Sequence, residues 1–163
     1  MKKKLLKKLG LSVLIVFVLA QFFAPEKNVG DLTSNDAFLA ETNPPEDVKA
    51  ILTNACFDCH SDNTKYPWYN TITPLNYWLN DHIIDGKKHF DVSKWNDYSL
   101  KKKDHKFDEL IEEVRGKEMP LPSYTWTHGD ADLSPDQIEA VVTWANQVRT
   151  KYALQIEEPQ LQK

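Results

Sequence analysis

The chain has 163 residues, which suits one domain of ordinary size with short extensions and leaves no room for a second core. Hydrophobic residues make up 41% and charged residues 27%, a balance that excludes a disordered chain. The first 24 residues hold five of the 20 basic residues and none of the 24 acidic ones, so the remainder has a formal charge of −9. Such an acidic body would repel nucleic acid and anionic lipid and would attract a basic partner.

The N-terminus, residues 1–24, consists of a block of lysines followed by the almost wholly apolar segment 9–24. This arrangement is typical of an export signal or a membrane anchor. The positive-inside rule keeps the lysines in the cytoplasm and places the chain after Ala24 in the periplasm. Counted from Leu5, the segment approaches the roughly 20 residues that span a bilayer. It also lacks a good signal-peptidase site, so we expect a single-pass anchor in the inner membrane, with a cleaved, secreted periplasmic protein as the alternative.

The rest of the chain is predicted to divide into a tether at 25–43, a domain at 44–155 and a flexible tail at 156–163. The tether is polar and aperiodic, as a linker between membrane and domain would be. The first helix of the domain is predicted to begin after two prolines and to run directly into Cys56. Its apolar positions recur at helical spacing: Val48, Ile51, Leu52 and Ala55.

Two further helices are predicted in the middle of the chain. One starts after Pro74 and stops near Gly86, with this apolar stripe: Leu75, Trp78, Leu79, His82 and Ile83. The next is predicted to end at Gly116, because glycine favours the C-termini of helices. Its apolar positions are Phe107, Leu110, Ile111 and Val114. The run Lys101-Lys102-Lys103 is interpreted as a solvated loop or a local docking patch.

The last helix has the clearest start signal, with Ser134 as the cap, Pro135 at the first position and Gln137 completing a capping box. Its buried stripe is predicted to be Ile138, Val141, Val142 and Ala145. The preceding segment, 117–132, contains the run Met119-Pro120-Leu121-Pro122, and these prolines cannot continue a helix. Since no stretch alternates convincingly with period two, the predicted fold class is all-α.

A chemical motif follows the first helix of the domain: Cys56-Phe57-Asp58-Cys59-His60. This is the Cys-x-x-Cys-His arrangement of covalent haem attachment. Two thiols at i and i+3 on a helical turn can add to the two vinyl groups of one haem, and the adjacent imidazole then lies beneath the iron. The motif therefore predicts one haem c, attached at Cys56 and Cys59, with His60 as the proximal iron ligand.

Three other interpretations of the two cysteines are less favourable. A disulfide between them would close a very small loop and would stabilise little. A thioredoxin-like redox pair would need a β-α-β setting, which the sequence lacks. A zinc site would need a further ligand from the scattered histidines. Haem attachment remains the favoured interpretation.

The segment from Pro45 to about Arg149 resembles the class I cytochromes c, with a helix ending in the motif, a methionine in a proline-containing loop and a closing helix. The chain is more closely similar to the small haem-binding domain proteins of Bacteroidetes-type bacteria. The residues that carry this likeness are 21–22, 25–28, 56–60, 63–69 and 118–121. The resemblance implies a cytochrome c-like helical domain wrapped around one covalent haem. Bacterial attachment of haem c occurs outside the cytoplasmic membrane, in agreement with export.

The resemblance places the distal iron ligand in the loop that contains Met119. This is the only methionine besides Met1, and it lies 59 residues after His60. A thioether ligand favours ferrous iron and raises the reduction potential. The alternative role for Met119 is to fill core space. The competing histidines are His82, His89, His105 and His128. Among them His82 is the alternative distal ligand, because it lies on an apolar stripe. A histidine on such a stripe is also typical of a hydrogen-bonded core residue.

The segment 66–98 is rich in tyrosine and tryptophan, which are expected either to cover the haem or to form the plain core. Together these inferences predict a monohaem c-type cytochrome that carries single electrons between periplasmic or membrane redox proteins, rather than an enzyme. One alternative is a haem enzyme or sensor, for peroxide or a diatomic gas, with an open or labile sixth position. Another is an accessory haem domain of a larger membrane complex.

Overall fold

The computed structural model describes residues 2–161, and every regular element among them is helical. The α-helices are, in chain order, α1 Lys2–Ala20, α2 Asp36–Thr42, α3 Glu46–Ala55, α4 Phe57–His60, α5 Leu75–His89, α6 Leu100–Gly116, α7 Pro122–Thr125 and α8 Pro135–Leu161. Short 3-10 helices occupy Trp68–Thr71, Val92–Asp97 and Gly129–Ala131. Within this range the only β-pairing is an isolated bridge between Val29 and Asn63. The predicted all-α fold class is confirmed.

The main core is built by α6 and α8, which pack along each other, together with α3. Its centre is aromatic, since Phe38, Trp95 and Phe107 are completely buried. The ring centroids of Phe38 and Trp95 lie 5.0 Å apart, and those of Phe107 and Trp144 lie 5.2 Å apart, in edge-to-face arrangements. Such pairs stabilise a core beyond the area that they bury. The motif-bearing helix α4 lies beside this core, in contact with α3 and α5.

The aromatic segment 66–98 divides among three environments. Trp95 belongs to the main core, where the plain-core interpretation holds. Tyr69 is buried with Leu79 and Ile83 in a second cluster. Other members lie at the surface, and their exposed fractions are 77% for Trp68 and 42% for Trp78. Within this segment, therefore, only the C-terminal end, which contains Trp95, contributes to the main core.

Helix starts follow the capping signals in the sequence. The Ser134 N–H donates to Gln137 Oε1 at 2.9 Å, and the Gln137 N–H donates to Ser134 Oγ at 3.3 Å, so the predicted capping box of α8 is confirmed. Helix α6 starts earlier than its apolar stripe suggests, because Ser99 accepts the N–H of Lys102 and caps it. The lysine run 101–103 is thus the first turn of a helix, and its interpretation as a loop was wrong.

Two predicted helix ends also require correction. Helix α5 passes through Gly86 and ends at His89. Gly86 lies inside this helix because it packs closely against the turn that contains Cys59. Helix α8 continues past residue 155 to Leu161, so 156–161 extends the last helix instead of beginning a flexible tail. Residues 162–163 of the predicted tail lie outside the described part of the chain.

The predicted tether, 25–43, is a folded part of the domain. Helix α2 lies within it and inserts the fully buried Phe38 into the main core. Asn43 ends α2 in the left-handed conformation, with φ of 42°. The carboxylate of Glu41 accepts hydrogen bonds from Lys103 on α6 at 2.6 Å and from Tyr152 on α8 at 2.7 Å. The interpretation of this segment as a linker was wrong. It followed from the polar composition, whereas the burial of one aromatic side chain, that of Phe38, is enough to anchor so short a helix in the core.

Helix α1 carries the apolar N-terminal segment, and its side chains are exposed on all faces. Across residues 2–161 we find no helix with the length and apolar character that crossing a membrane requires. The predicted transmembrane anchor therefore lacks support. The turn after α1 contacts the domain, where the Gln21 side-chain amide exchanges two hydrogen bonds with the backbone of Thr73, at 2.9 and 3.1 Å.

Candidate haem-attachment site

The Cys-x-x-Cys-His motif forms one helical turn at the end of α3. The Cys56 N–H still donates to Leu52 O of α3 at 3.0 Å, but the backbone of Cys56 is not helical and starts the new helix α4. The amides of Cys59 and His60 then donate to Cys56 O at 3.2 and 3.0 Å. The two cysteines and the histidine therefore belong to one hydrogen-bonded helical turn.

Both cysteines are free thiols. Cys56 packs against the main core, and Cys59 packs against the second cluster. Burial raises the pKa of Cys56 to about 12, and burial together with the Asp58 charge raises the pKa of Cys59 to about 11. A redox-active or metal-binding Cys-x-x-Cys needs at least one stabilised thiolate. The structure thus favours neither a thioredoxin-like pair nor a disulfide.

The His60 imidazole has a fixed orientation. Its Nδ1 lies 2.8 Å from the carbonyl oxygen of Phe90, and since a carbonyl only accepts, Nδ1 carries the proton. Burial lowers the pKa of His60, against the opposing effect of the carbonyls of Phe90 and Gly86, so the ring is neutral near pH 7. Nε2 then holds the lone pair. A neutral imidazole that donates its other N–H to a carbonyl is the usual state of a histidine iron ligand.

Gly86 permits the close approach of α5 to the attachment turn. A Cβ atom at this position would lie 2.9 Å from the carbonyl oxygen of Cys59 and 3.1 Å from its Cβ. Both atoms belong to a rigid part of the neighbouring turn, so any larger residue would push the two helices apart. Gly86 therefore stands inside a helix because of this packing and does not end it.

Replacing Gly86 with alanine is expected to destabilise the protein. The added methyl group costs about 1–3 kcal/mol as overpacking, which outweighs the roughly 1 kcal/mol that alanine gains over glycine in a helix. The matched control is Gly116→Ala in α6, where the nearest atom to a new Cβ is a flexible Glu118 side-chain carbon at 3.6 Å. Urea unfolding followed by circular dichroism should show a lower midpoint for Gly86→Ala and no loss for Gly116→Ala. Equal midpoints for wild type and Gly86→Ala would contradict this packing role.

Asp58, between the two cysteines, connects the turn to two other segments. Its Oδ1 accepts the N–H of Lys65 at 2.8 Å, and its Oδ2 accepts the hydroxyl of Tyr124 at 2.9 Å. Its carbonyl accepts the Thr64 hydroxyl at 2.6 Å. The sequence gives no signal for these contacts, because the motif specifies only the cysteines and the histidine.

Asn28 holds the loop that follows the motif. Its side-chain amide donates to Ser61 O at 2.8 Å and to Thr64 Oγ1 at 2.9 Å, while its Oδ1 accepts from Lys87 at 2.9 Å. Two residues later, Gly30 lies so close to Asp62 that a Cβ would be 2.7 Å from the Asp62 Cβ. The segment 28–30 is thus part of the site. The only sequence signal for it was the family likeness at 25–28.

The predicted distal ligands lie in different surroundings. Met119 is half-buried in the loop between α6 and α7, and its N–H donates to Glu113 O at 3.2 Å. His82 is engaged within its own helix, with Nδ1 2.7 Å from Trp78 O and its ring 4.5 Å from the Trp78 ring. Neither residue has a contact with the attachment turn among those described, so the assignment of the sixth ligand stays a prediction.

The remaining histidines form local contacts. His89 and His105 are exposed beside carboxylates of their own helices, Asp85 at 3.9 Å and Glu109 at 3.1 Å. His128 stacks on Tyr124. Within residues 2–161 no group of three or more His, Cys, Asp or Glu side chains is arranged to hold a metal ion.

The fold and the turn together define an all-α protein in which two free thiols lie at i and i+3 and the adjacent imidazole is hydrogen-bonded through Nδ1 to Phe90 O. These residues fit the group that the motif predicts. A family model described as a haem-binding domain matches residues 15–147. The chain belongs to this haem-binding domain family, and the predicted haem binding is confirmed at that level. No curated protein and no solved structure matches the chain.

Proposed function

We propose that this protein carries one covalently attached haem and passes single electrons between redox partners outside the cytoplasmic membrane. The observation that carries the proposal is the attachment turn, which holds two free thiols and a His60 ring oriented by the Phe90 carbonyl. Membership of the haem-binding domain family supports the cofactor. Covalent attachment of the haem and the role as an electron carrier go beyond family membership and are part of this proposal.

Each residue of the turn would have a separate role in binding the haem. Each thiol, of Cys56 and of Cys59, would add across one vinyl group, its sulfur bonding to carbon and its proton passing to the neighbouring carbon. His60 would bind iron through Nε2, and the hydrogen bond from Nδ1 to Phe90 O would keep the ring from rotating. When bound, haem supplies a one-electron couple whose potential depends on its axial ligands and on burial.

Met119 is proposed as the sixth ligand. An electron carrier keeps two strong protein ligands in both oxidation states, which limits reorganisation and excludes exogenous ligands. Met119 lies in a proline-rich loop whose next helix, α7, is bonded to the attachment turn through Tyr124 and Asp58. This connection supports the placement of the loop on the haem side of the turn.

The N-terminal segment is proposed to direct export, because a lysine block precedes the exposed apolar helix α1. The haem domain would then work on the periplasmic side of the inner membrane, where c-type attachment takes place in the family that the chain resembles. Its acidic body would favour a basic redox partner, with association that weakens as ionic strength increases. The proposal further includes retention of the protein at the membrane by α1.

The proposal is tested on the full chain produced with a c-type maturation system. Membrane and soluble periplasmic fractions are separated, and ferric and ferrous spectra of the protein are recorded from each. We expect a low-spin haem in both oxidation states, with the weak far-red band that a methionine–iron bond gives in ferric cytochromes c. A high-spin ferric spectrum that shifts on adding cyanide, or a ferrous one that shifts with carbon monoxide, would favour the enzyme or sensor instead. Haem protein found only in the cytoplasm would contradict export.

A further inference from the structure

Tyr124 forms a specific connection between the Met119 loop and the attachment turn. Its hydroxyl donates to Oδ2 of Asp58 at 2.9 Å, although the two residues are 66 positions apart. The other carboxylate oxygen of Asp58 is held by the N–H of Lys65 at 2.8 Å, so Oδ2 points in a fixed direction. Burial and the negative charge of Asp58 raise the pKa of Tyr124, so its hydroxyl keeps its proton and remains a donor.

The ring of Tyr124 is held independently of its hydroxyl. It stacks on His128, with ring centroids 4.0 Å apart and planes 10° apart. The amides of Tyr124 and Thr125 donate to Leu121 O at 2.9 and 3.1 Å, which makes α7 a rigid turn. Loss of the hydroxyl alone would therefore leave the local structure of the loop in place and remove its bond to Asp58.

A second, weaker contact lies beside the first. The hydroxyls of Tyr69 and Thr127 are 3.3 Å apart, and Tyr69 belongs to the second cluster, against which Cys59 packs. The segment 119–128 thus has one contact with the attachment turn and one with the cluster against which Cys59 packs. Of these two contacts, only the bond of Tyr124 involves a charged partner, and hydrogen bonds to charged groups are the stronger kind.

We propose that the Tyr124–Asp58 hydrogen bond holds the segment 119–128 against the attachment turn and thereby sets how often the sixth position of the iron opens to exogenous ligands. Tyr124 is a positioning residue in this proposal, since it acts through the loop that carries Met119. The inference rests on the proposed function, namely haem at Cys56, Cys59 and His60 with Met119 as the distal ligand. It adds a control on ligand access that neither the motif nor the family description contains.

The test compares Tyr124→Phe with wild type as full-length ferric haem protein. The rate of imidazole binding is measured at saturating imidazole, where opening of the sixth position limits the reaction. Loss of a charge-assisted hydrogen bond is expected to increase this rate by roughly ten- to a hundredfold. The matched control is Tyr152→Phe, which removes a similar bond, to Glu41 at 2.7 Å, between α8 and α2. This control is expected to leave the imidazole rate unchanged.

A double-mutant cycle tests whether Asp58 is the partner. Asp58→Ala should increase the rate at least as much as Tyr124→Phe, because it also removes the bond to Lys65. Adding Tyr124→Phe to Asp58→Ala should then change the rate little, because the bond that the two residues share is already lost. Wild-type protein without the far-red band would overturn the ligation by Met119 that the proposed function includes. If the band is present and the imidazole rates of wild type and Tyr124→Phe agree, the positioning role alone is wrong. Equal acceleration by Tyr152→Phe would also overturn it, since that result indicates general destabilisation.

Discussion

Replacing both Cys56 and Cys59 with alanine is expected to abolish covalent haem attachment completely. Each thiol supplies one thioether bond, and the chain has no third cysteine that could substitute. Haem should then be extracted by acidified acetone and should be lost from denaturing gels stained for haem. Each single substitution should leave one bond, so haem should stay on the gel at reduced occupancy. Mass spectrometry of the intact chain distinguishes the three states.

The control for this result is a substitution that leaves the turn unchanged. Thr53→Ala suits the purpose, because Thr53 is exposed on α3 and bonds only to Lys49 O of its own helix. Its haem should remain covalently bound. Circular dichroism of the double cysteine variant should show preserved helix content, since the two side chains are small and only partly buried. Wild-type protein that releases its haem into acidified acetone would contradict the attachment.

The parts of the fold that could be predicted from sequence are those determined locally. The capping box at Ser134 is formed by residues three positions apart, and the structure shows both of its hydrogen bonds. The attachment turn is likewise a single run of five residues. Helical spacing located the buried faces of α3 and α6, where Val48, Ile51, Phe107 and Ile111 are all buried. In each case the signal and the structure involve the same few residues.

The errors arose where a residue's role depends on a distant neighbour. A glycine in a helical pattern signals either a helix end or a close approach, and only the position of Cys59 against Gly86 decides between them. The segment 25–43 is polar, but Asn28 hydrogen-bonds to Ser61 and Thr64, and Phe38 enters the main core. Composition cannot show which polar residues will find such partners.

The sequence predicts the thiols and the imidazole of the candidate site, but it does not predict the residues that hold them in place. The thiols and the imidazole are specified by the motif, because covalent attachment requires their spacing. The carbonyl that orients His60 belongs to Phe90, 30 positions away, and a backbone group leaves no signature in the sequence. The hydroxyl that bonds Asp58 belongs to Tyr124 in a different helix. Both supports arise from the packing of α5 and α7 around the turn.

Replacing Met119 with alanine is expected to empty the sixth coordination position. The ferric haem should change to a high-spin or water-ligated form and lose its far-red band. The reduction potential should fall by a substantial part of the roughly 0.8 V range over which axial ligands act, because the thioether that favours ferrous iron is gone. Peroxidase activity should increase as the iron becomes accessible. Met119→His should keep a low-spin haem at a lower potential, if the loop before Pro120 accommodates the ring.

His82→Ala is the control that decides between the two candidate ligands. To bind iron, the His82 ring would have to break its 2.7 Å contact with Trp78 O and leave its contact with the Trp78 ring. Met119 lies in the loop between α6 and α7, where the resemblance to cytochromes c implies the distal ligand. We therefore expect an unchanged optical spectrum and potential for His82→Ala. A spin-state change in His82→Ala, together with a wild-type spectrum in Met119→Ala, would assign the distal position to His82.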